Sequence, residues 1–346
     1  MRVSQLEHVP NHVQEHMQAN MQANMQEKMP HSLGRMSRAL HWLLALELVI
    51  VGLIAWWCFP HLAAWSPSIP PMLLAVFSVL VGVAAMLLLR FIITINNFFL
   101  AASVASPCPQ KLTVGQWCRL LFAEFRATLY SSSWAMLRCS FARHHVDNST
   151  MPPVLLVHGY VCNSGYWHRF SQALQRERIN HFALDLEPVF GSIDDYVPLL
   201  RQAIESICRE TGSERVIIVA HSMGGLVARA YLREDGSARV AHVITIGSPH
   251  HGTAIAERGP GQNSRQMEWS NSGPSPWLQA LEASESAATR SLITSIFSYQ
   301  DNIVSPQLSS VLEGANNLPF FGIGHVELAL HPAIQQCVLQ EIRRVA

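Results

Sequence analysis

Charge is what this sequence has least of. Lysine and arginine together number 24 of 346 residues, aspartate and glutamate another 24, and the charged share is 14%, against about 25% in an average soluble chain. The two signs cancel. That removes the basic footprint a nucleic-acid partner needs, so no nucleic acid is expected, and it leaves no acidic excess to solvate a tail. A cysteine pattern is also missing. Cys58, Cys108, Cys118, Cys139, Cys162, Cys208 and Cys337 are scattered, odd in number and without a CxxC pair. Such spacing supports neither a zinc site nor a disulfide framework and fits free thiols in a reducing compartment. Hydrophobic residues make up 49%. Few charges with many apolar residues point to membrane segments.

Residues 1–38 read as a disordered or low-complexity tail, with MQANMQANMQEKM polar and repetitive. Met29 or Met36 is an alternative first residue. Two apolar runs follow within residues 39–95: LLALELVIVGLIAWWCF (43–59) and PMLLAVFSVLVGVAAMLLL (71–89). A bilayer core asks for about 17–25 mostly apolar helical residues. The second run meets this without a charge. The first contains Glu47, which is costly at mid-depth. A signal peptide fits the first run poorly, because the run is long, aromatic at its end and soon followed by another. The expectation is a two-span hairpin, with Trp56, Trp57 and Trp65 at belt positions. Arg35 and Arg38 precede it, Arg90, Lys111, Arg119 and Arg126 follow it, and the connector HLAAWSPSIP carries no Lys or Arg. The positive-inside rule then puts both ends in the cytoplasm, as in a bacterial inner-membrane protein. Residues 96–150 read as interfacial or linker helices. FIITINNFFLAASVA either extends the second helix or lies along the interface, and 115–138 rests on lipid headgroups or packs on the next domain.

From residue 151 the pattern changes. Short apolar runs VLLVHG (154–159), HFALDL (181–186), RVIIVA (215–220), HVITIG (242–247), LITSIFS (292–298) and NLPFFGI (317–323) alternate with helix patterns at 195–209, 223–234 and 328–344. This predicts an α/β class domain over 151–346: a mostly parallel central sheet with helices on both faces.

The motif A-H-S-M-G-G, residues 220–225, lies between the RVIIVA run and a helix pattern. A strand-to-helix turn there lifts Ser222 Oγ clear of the sheet, small residues at Ala220 and Gly224 leave room, and the helix N-terminus faces developing negative charge. The rival role for Ser222 is an ordinary N-cap. V-H-G-Y, residues 157–160, ends the first strand. An oxyanion hole needs two backbone donors, expected from Met223 and Tyr160. The acid and the histidine should follow the serine in that order. Asp301 comes directly after LITSIFS, with Glu313 its competitor; His325 follows NLPFFGI, with His331 its competitor. G-S-P-H-H-G-T (247–253) opens an irregular stretch, 254–290, that could form a lid. Trp167 and His251 are candidates for the substrate pocket or lid. His250 and His251 lack a carboxylate cluster, so no metal is expected; His221 reads as a supporting residue.

These motifs together resemble the α/β-hydrolase superfamily, in its bacterial triacylglycerol-lipase-like branch. The resemblance covers about 152–344 and says nothing of residues 1–150. It implies the α/β-hydrolase fold, with a nucleophile at Ser222, acid at Asp301, base at His325, oxyanion donors at Tyr160 and Met223, and a strand-end segment at Ser248, Pro249, His250, His251, Gly252 and Thr253. Calcium serves some members of the branch, but no acidic positions for it are identifiable, and no cofactor is expected. The expected activity is hydrolysis of a lipid or other hydrophobic ester through an acyl-enzyme. A membrane-bound acyltransferase with the same triad is the alternative, and a non-enzymatic scaffold a third.

Overall fold

The computed structural model describes residues 34–138, 143–146, 149 and 151–345. Residues 1–33 of the expected tail, and Cys139, lie outside the described residues. Two long helices come first, α1 (Arg35–Trp65) and α2 (Pro71–Ala102). Both overrun the apolar windows read from the sequence, because packing and hydrogen bonding set the ends of a helix, not hydropathy. Met36 and Leu40 bury into the core of the following domain, so residues 35–38 start α1 and are not tail. Pro71 stands in the first turn of α2, where its missing N–H costs nothing. Phe91–Leu100 continue α2. The helices come close at Gly82, where a Cβ would stand 2.7 Å from Val51 O. Arg90 is not a free flanking charge. Its Nε and Nη2 donate to the Glu47 carboxylate at 2.7–3.0 Å, and its Nη1 donates to Ser132 Oγ at 3.0 Å.

Helix α3 (Val114–Tyr130) opens with a capping box, in which Thr113 and Gln116 satisfy each other's backbone N–H, and closes in a π turn, Ser131–Ala135. Aromatic pairs seat it on α2: Phe91 with Phe122 and Phe125, and Phe98 with Trp117. Its buried stripe is Leu120, Glu124 and Ala127, at the 4- and 3-residue spacing of one helix face.

The remaining elements are β1 (Val154–Val157), α4 (His168–Arg176), β2 (His181–Leu184), α5 (Val197–Thr211), β3 (Val216–His221), α6 (Met223–Asp235), β4 (Val240–Ile246), α7 (Gln262–Gln266), β5 (Trp269–Ser270), β6 (Gly273–Pro274), α8 (Pro276–Ala283), α9 (Ala287–Ser291), β7 (Ile293–Ser298), β8 (Asn316–Phe320) and α10 (Pro332–Val345). Six strands form one sheet in the order β2-β1-β3-β4-β7-β8, each neighbouring pair parallel. Burial on both faces explains why β1 and β3 read as unbroken apolar runs: every residue of each is buried. One face packs Leu200 and Ile204 of α5 and Leu226 of α6 against Leu155, Ile218 and Val243. The other packs Phe170 of α4 and Ile334 and Val338 of α10 against Leu156, Ile217 and Ile244. Because the strands are parallel, their C-terminal ends share one edge of the sheet, where this class of sheet collects its chemistry.

Candidate active site

At that edge β3 turns directly into α6. Ser222, the residue between them, holds φ 54° and ψ −126°, a conformation that L residues with a Cβ rarely adopt. Its side chain caps nothing in α6, so the N-cap role is not the one it fills. The turn is possible because three glycines take the places where a side chain would collide. A Cβ on Gly224 would stand 2.5 Å from Val157 O and 2.7 Å from His158 O, one on Gly159 would stand 2.7 Å from Ser222 Cβ, and one on Gly225 would overlap Ser248 Oγ. The obstacles to Gly224 are backbone atoms and cannot swing aside. Gly224→Ala should therefore cost about 1–3 kcal/mol, seen as a lower denaturation midpoint at unchanged slope.

The structure brings Asp301 and His325 together. Asp301 follows β7, and its Oδ1 accepts the N–H groups of Ile303 and Val304 at 2.8 and 2.7 Å. Its Oδ2 lies 2.8 Å from His325 Nδ1. A carboxylate on that side places the ring proton on Nδ1 and leaves Nε2 as the basic nitrogen. Burial works against a charged His325, but the adjacent Asp301 carboxylate and its hydrogen bond, joined by the Glu124 charge, outweigh it and hold the imidazole above its ordinary range. The loop carrying His325 is pinned from several elements. His325 N–H donates to Asn302 Oδ1 at 3.0 Å, Tyr166 O–H to Val326 O at 3.0 Å, and His221 Nε2–H to His325 O at 3.1 Å. His221 is itself stacked between Tyr166 and His325. Burial and the neighbouring imidazole push its pKa far down, so it is neutral.

Ser222, His221 and His325 line one cavity of about 310 Å³. Gly159, Tyr160 and Val161 form its wall after β1, and Thr128, Ser131, Ser132 and Met136 form the wall opposite, at the end of α3. The end of helix α3 thus supplies part of the wall of this cavity. The 254–290 stretch contributes no lining residue. It packs beside the site instead, with Pro260 O accepting the Tyr160 hydroxyl at 2.6 Å. His158 fixes the loop after β1: its Nε2 accepts Leu186 N–H at 3.0 Å, so the proton is on Nδ1, facing Gly159 O at 2.8 Å.

Two residues expected at the pocket lie elsewhere. Trp167 is fully buried against Tyr166 and Phe170, because its apolar bulk fills the core under α4. His251 holds a loop: its N–H donates to Ser309 O at 3.1 Å, and its ring sits 3.6 Å from Glu282. His250 is buried and neutral, pushed down by burial and by Arg229. Arg229 forms a fully buried bidentate pair with Glu285 at 2.6 and 2.9 Å. Glu313 accepts a bond from Arg290 at its backbone carbonyl, and His331 accepts Ala333 N–H at the start of α10. Among the described residues, no group of three or more His, Cys, Asp or Glu is placed to hold a metal ion. The thiols of the described residues are free, and burial pushes Cys162, on the cavity wall, up to about 12.

Glu124 is the member of this site that the sequence reading missed. It is buried, and its two carboxylate oxygens accept Val326 N–H at 3.0 Å and Glu327 N–H at 2.9 Å. The available signal was a carboxylate on the same helical stripe as Leu120 and Ala127.

A family model described as "alpha/beta hydrolase fold" matches residues 152–268. The matched segment carries the α/β-hydrolase fold, and the relatives support a likeness to its lipase-like branch. The protein is 31% identical to a triacylglycerol lipase of Vibrio cholerae over 138 residues, covering 38% of this chain and 43% of that one. It is also 31% identical to a triacylglycerol lipase of Pseudomonas fragi over 119 residues, covering 32% and 39%. A lysosomal thioesterase, PPT2-B, of Xenopus laevis is 29% identical over 113 residues, covering 30% and 38%. The chain thus spans about two fifths of the length of these curated relatives. Among solved structures, the mature form of Bacillus licheniformis lipase BlEst2 superposes with a TM-score of 0.49 at 17% identity, over 58% of this chain and 95% of that one.

Proposed function

We propose that this protein is a membrane-anchored serine hydrolase that cleaves carboxylic esters of lipids or comparably hydrophobic molecules. The observation that carries the reading is the meeting, at one cavity, of a serine on a positive-φ turn and a histidine whose Nδ1 is engaged by a buried aspartate. Ser222 Oγ attacks the ester carbonyl while His325 Nε2 takes its proton. The N–H groups of Met223 and Tyr160 stabilise the tetrahedral oxyanion. Met223 opens α6, where a first-turn N–H has no acceptor within the helix. His325 then protonates the leaving alcohol, giving the acyl-enzyme, and activates the water that releases the acid. Asp301, held by two backbone N–H groups, keeps the imidazole tautomer fixed and stabilises the imidazolium.

The substrate class rests on the anchor and on the lipase relatives. Residues 48–65 and 71–89, the parts of α1 and α2 beyond the Glu47–Arg90 pair, rise roughly 27–29 Å at 1.5 Å per residue, close to a bilayer core of about 30 Å. Their large apolar side chains, such as Leu53, Trp57, Phe77 and Leu80, face outward. The pair would then sit at the headgroup boundary. By the positive-inside rule, Arg35 and Arg38 on one side, and Lys111, Arg119 and Arg126 on the other, favour a cytoplasmic catalytic unit.

The test is fluorophosphonate labelling of the full-length protein in membranes, followed by mapping of the adduct. The adduct should lie on Ser222; a protein that stays unlabelled, or is labelled on another residue, rules the proposal out. Incubation of a lipid ester with and without a lipid alcohol would then separate hydrolysis from acyl transfer: release of free acid at the same rate in both supports water as the acceptor. The pH profile follows from His325. The base must be neutral, and, against its burial, the Asp301 carboxylate raises its pKa above that of an ordinary histidine, so kcat/KM should fall as pH drops through a midpoint above the ordinary histidine range. A stopped-assay profile from pH 5 to 9 checks this.

A further inference from the structure

Helix α3 lies before the segment matched by the hydrolase family model, which begins at residue 152, yet it reaches the loop that carries His325. We propose that Glu124 is a positioning residue for the catalytic histidine, so that the N-terminal helical part of this chain is a working component of the active site and not only an anchor. The inference rests on the reading of Ser222, Asp301 and His325 given above.

Three observations carry it. First, both Glu124 carboxylate oxygens are spent on the two residues directly after His325, one on each N–H. A carboxylate bridging successive amides fixes the direction of that backbone more firmly than one hydrogen bond can, and charge-assisted bonds of this type are the stronger ones. Second, the approach is built on both sides. Leu120 and Ala127 seat the helix face around Glu124. Gly324, just before His325, has no side chain in the way; a Cβ there would stand 2.5 Å from Glu124 Oε2. Third, Glu124 is buried and, among the described residues, has no salt-bridge partner; burial raises its pKa, and the Val326 and Glu327 N–H groups and the His325 imidazole work against that rise. An ionised carboxyl in such a place needs a compensating role, and here it receives two N–H donors and a nearby imidazole.

The groups facing His325 are Asp301 after β7, Glu124 on α3 and His221 at the end of β3. Those facing Glu124 are His325, Asp301, Tyr166 after β1 and Glu327, the last offset by Arg126 of α3. The Glu124 charge supports the protonated imidazole that forms as Ser222 attacks. Its loss should therefore slow the chemical step and make His325 less basic.

The experiment uses the full-length protein in detergent, with Glu124→Gln and Gly324→Ala compared with wild type. Rates are read both as fluorophosphonate labelling and as hydrolysis of a short-chain chromogenic ester. Glu124→Gln should lower kcat and the labelling rate roughly tenfold to a hundredfold, the scale of a small displacement of a reacting group. KM should stay close to wild type, and the acid limb of the pH profile should move to lower pH. Gly324→Ala, which pushes the carboxylate away from the opposite side, should lower kcat in the same way and serves as the readout if Glu124→Gln does not fold. Wild-type rates in both variants, a loss confined to KM, or a loss of kcat with an unmoved acid limb overturns the proposal and leaves Glu124 a packing group. Failure of the wild-type protein to label strikes the serine-hydrolase reading instead, so the two failures are distinguishable.

Discussion

Ser222→Ala is expected to lower kcat by about six orders of magnitude, the scale seen when the serine of such a triad is removed, while leaving the fold intact. The second half of that expectation is specific to this chain. Ser222 Oγ caps no N–H of α6, so removing it orphans no buried donor. Alanine carries the same Cβ and meets the same strained φ of 54° that serine already bears, so the substitution adds no backbone strain. Stability should therefore stay within about 0.5 kcal/mol, as for a substitution that disturbs neither packing nor hydrogen bonding. The groups of such a triad act as a unit, so adding His325→Ala to Ser222→Ala should lower the rate little further. Single-turnover hydrolysis of a chromogenic ester, paired with denaturation curves of the same samples, measures both halves. A Ser222→Ala protein that keeps a tenth of the wild-type rate would leave the strained turn without its proposed purpose.

That turn was legible in the sequence because everything it needs is local. A buried strand, a serine with small residues two positions to either side and a helix follow one another within twenty residues. The same holds for the sheet. Most of these strands are buried on both faces and written as short apolar runs, and the six read from the sequence are the six of the main sheet, with ends shifted by one to three residues. Asp301 and His325 were readable at one remove, since each follows a strand whose C-terminal end must lie on the same edge as that of β3. What the sequence did not carry are contacts between residues far apart in the chain and without a motif. Glu124 meets Val326 across 202 positions, and nothing around Val326 calls for a carboxylate. The pocket wall of Thr128, Ser131 and Ser132 comes from polar residues that read as a linker. Arg229 and Glu285 look like two surface charges until the fold buries both. Trp167 was misplaced for the converse reason: a tryptophan near a catalytic loop fits a pocket and a core equally well in composition, and only the packing under α4 decides between them.

Arg90→Gln is expected to destabilise the helical hairpin by about 3–5 kcal/mol, the cost of leaving one member of a buried charge pair without its partner. Glu47 and Arg90 lie 43 positions apart, and their side chains are only 15% and 16% exposed. With Arg90 gone, the Glu47 carboxylate keeps its place between two apolar helices and loses three charge-assisted contacts. Much of the cost belongs to that stranded carboxylate and not to any intrinsic strength of the pair. Glu47→Gln/Arg90→Gln should consequently recover most of the loss, because two neutral amides can bond to each other. Denaturation of the two single variants and the double variant in one detergent, analysed as a cycle, gives the coupling energy directly. A coupling of 1 kcal/mol or less would be that of a water-exposed pair, and would argue against placing it at the edge of a bilayer. Arg90 also reaches the active-site cavity, since its Nη1 donates to Ser132 Oγ on the pocket wall. Glu47→Gln leaves that bond in place and Arg90→Gln removes it. If the hairpin shapes the pocket through this contact, Arg90→Gln should raise KM for a long-chain ester more than Glu47→Gln does, with kcat nearly the same in both. Equal KM values would confine the pair to holding the anchor together, and would leave α3, through Glu124, as the route by which the N-terminal helices reach the chemistry.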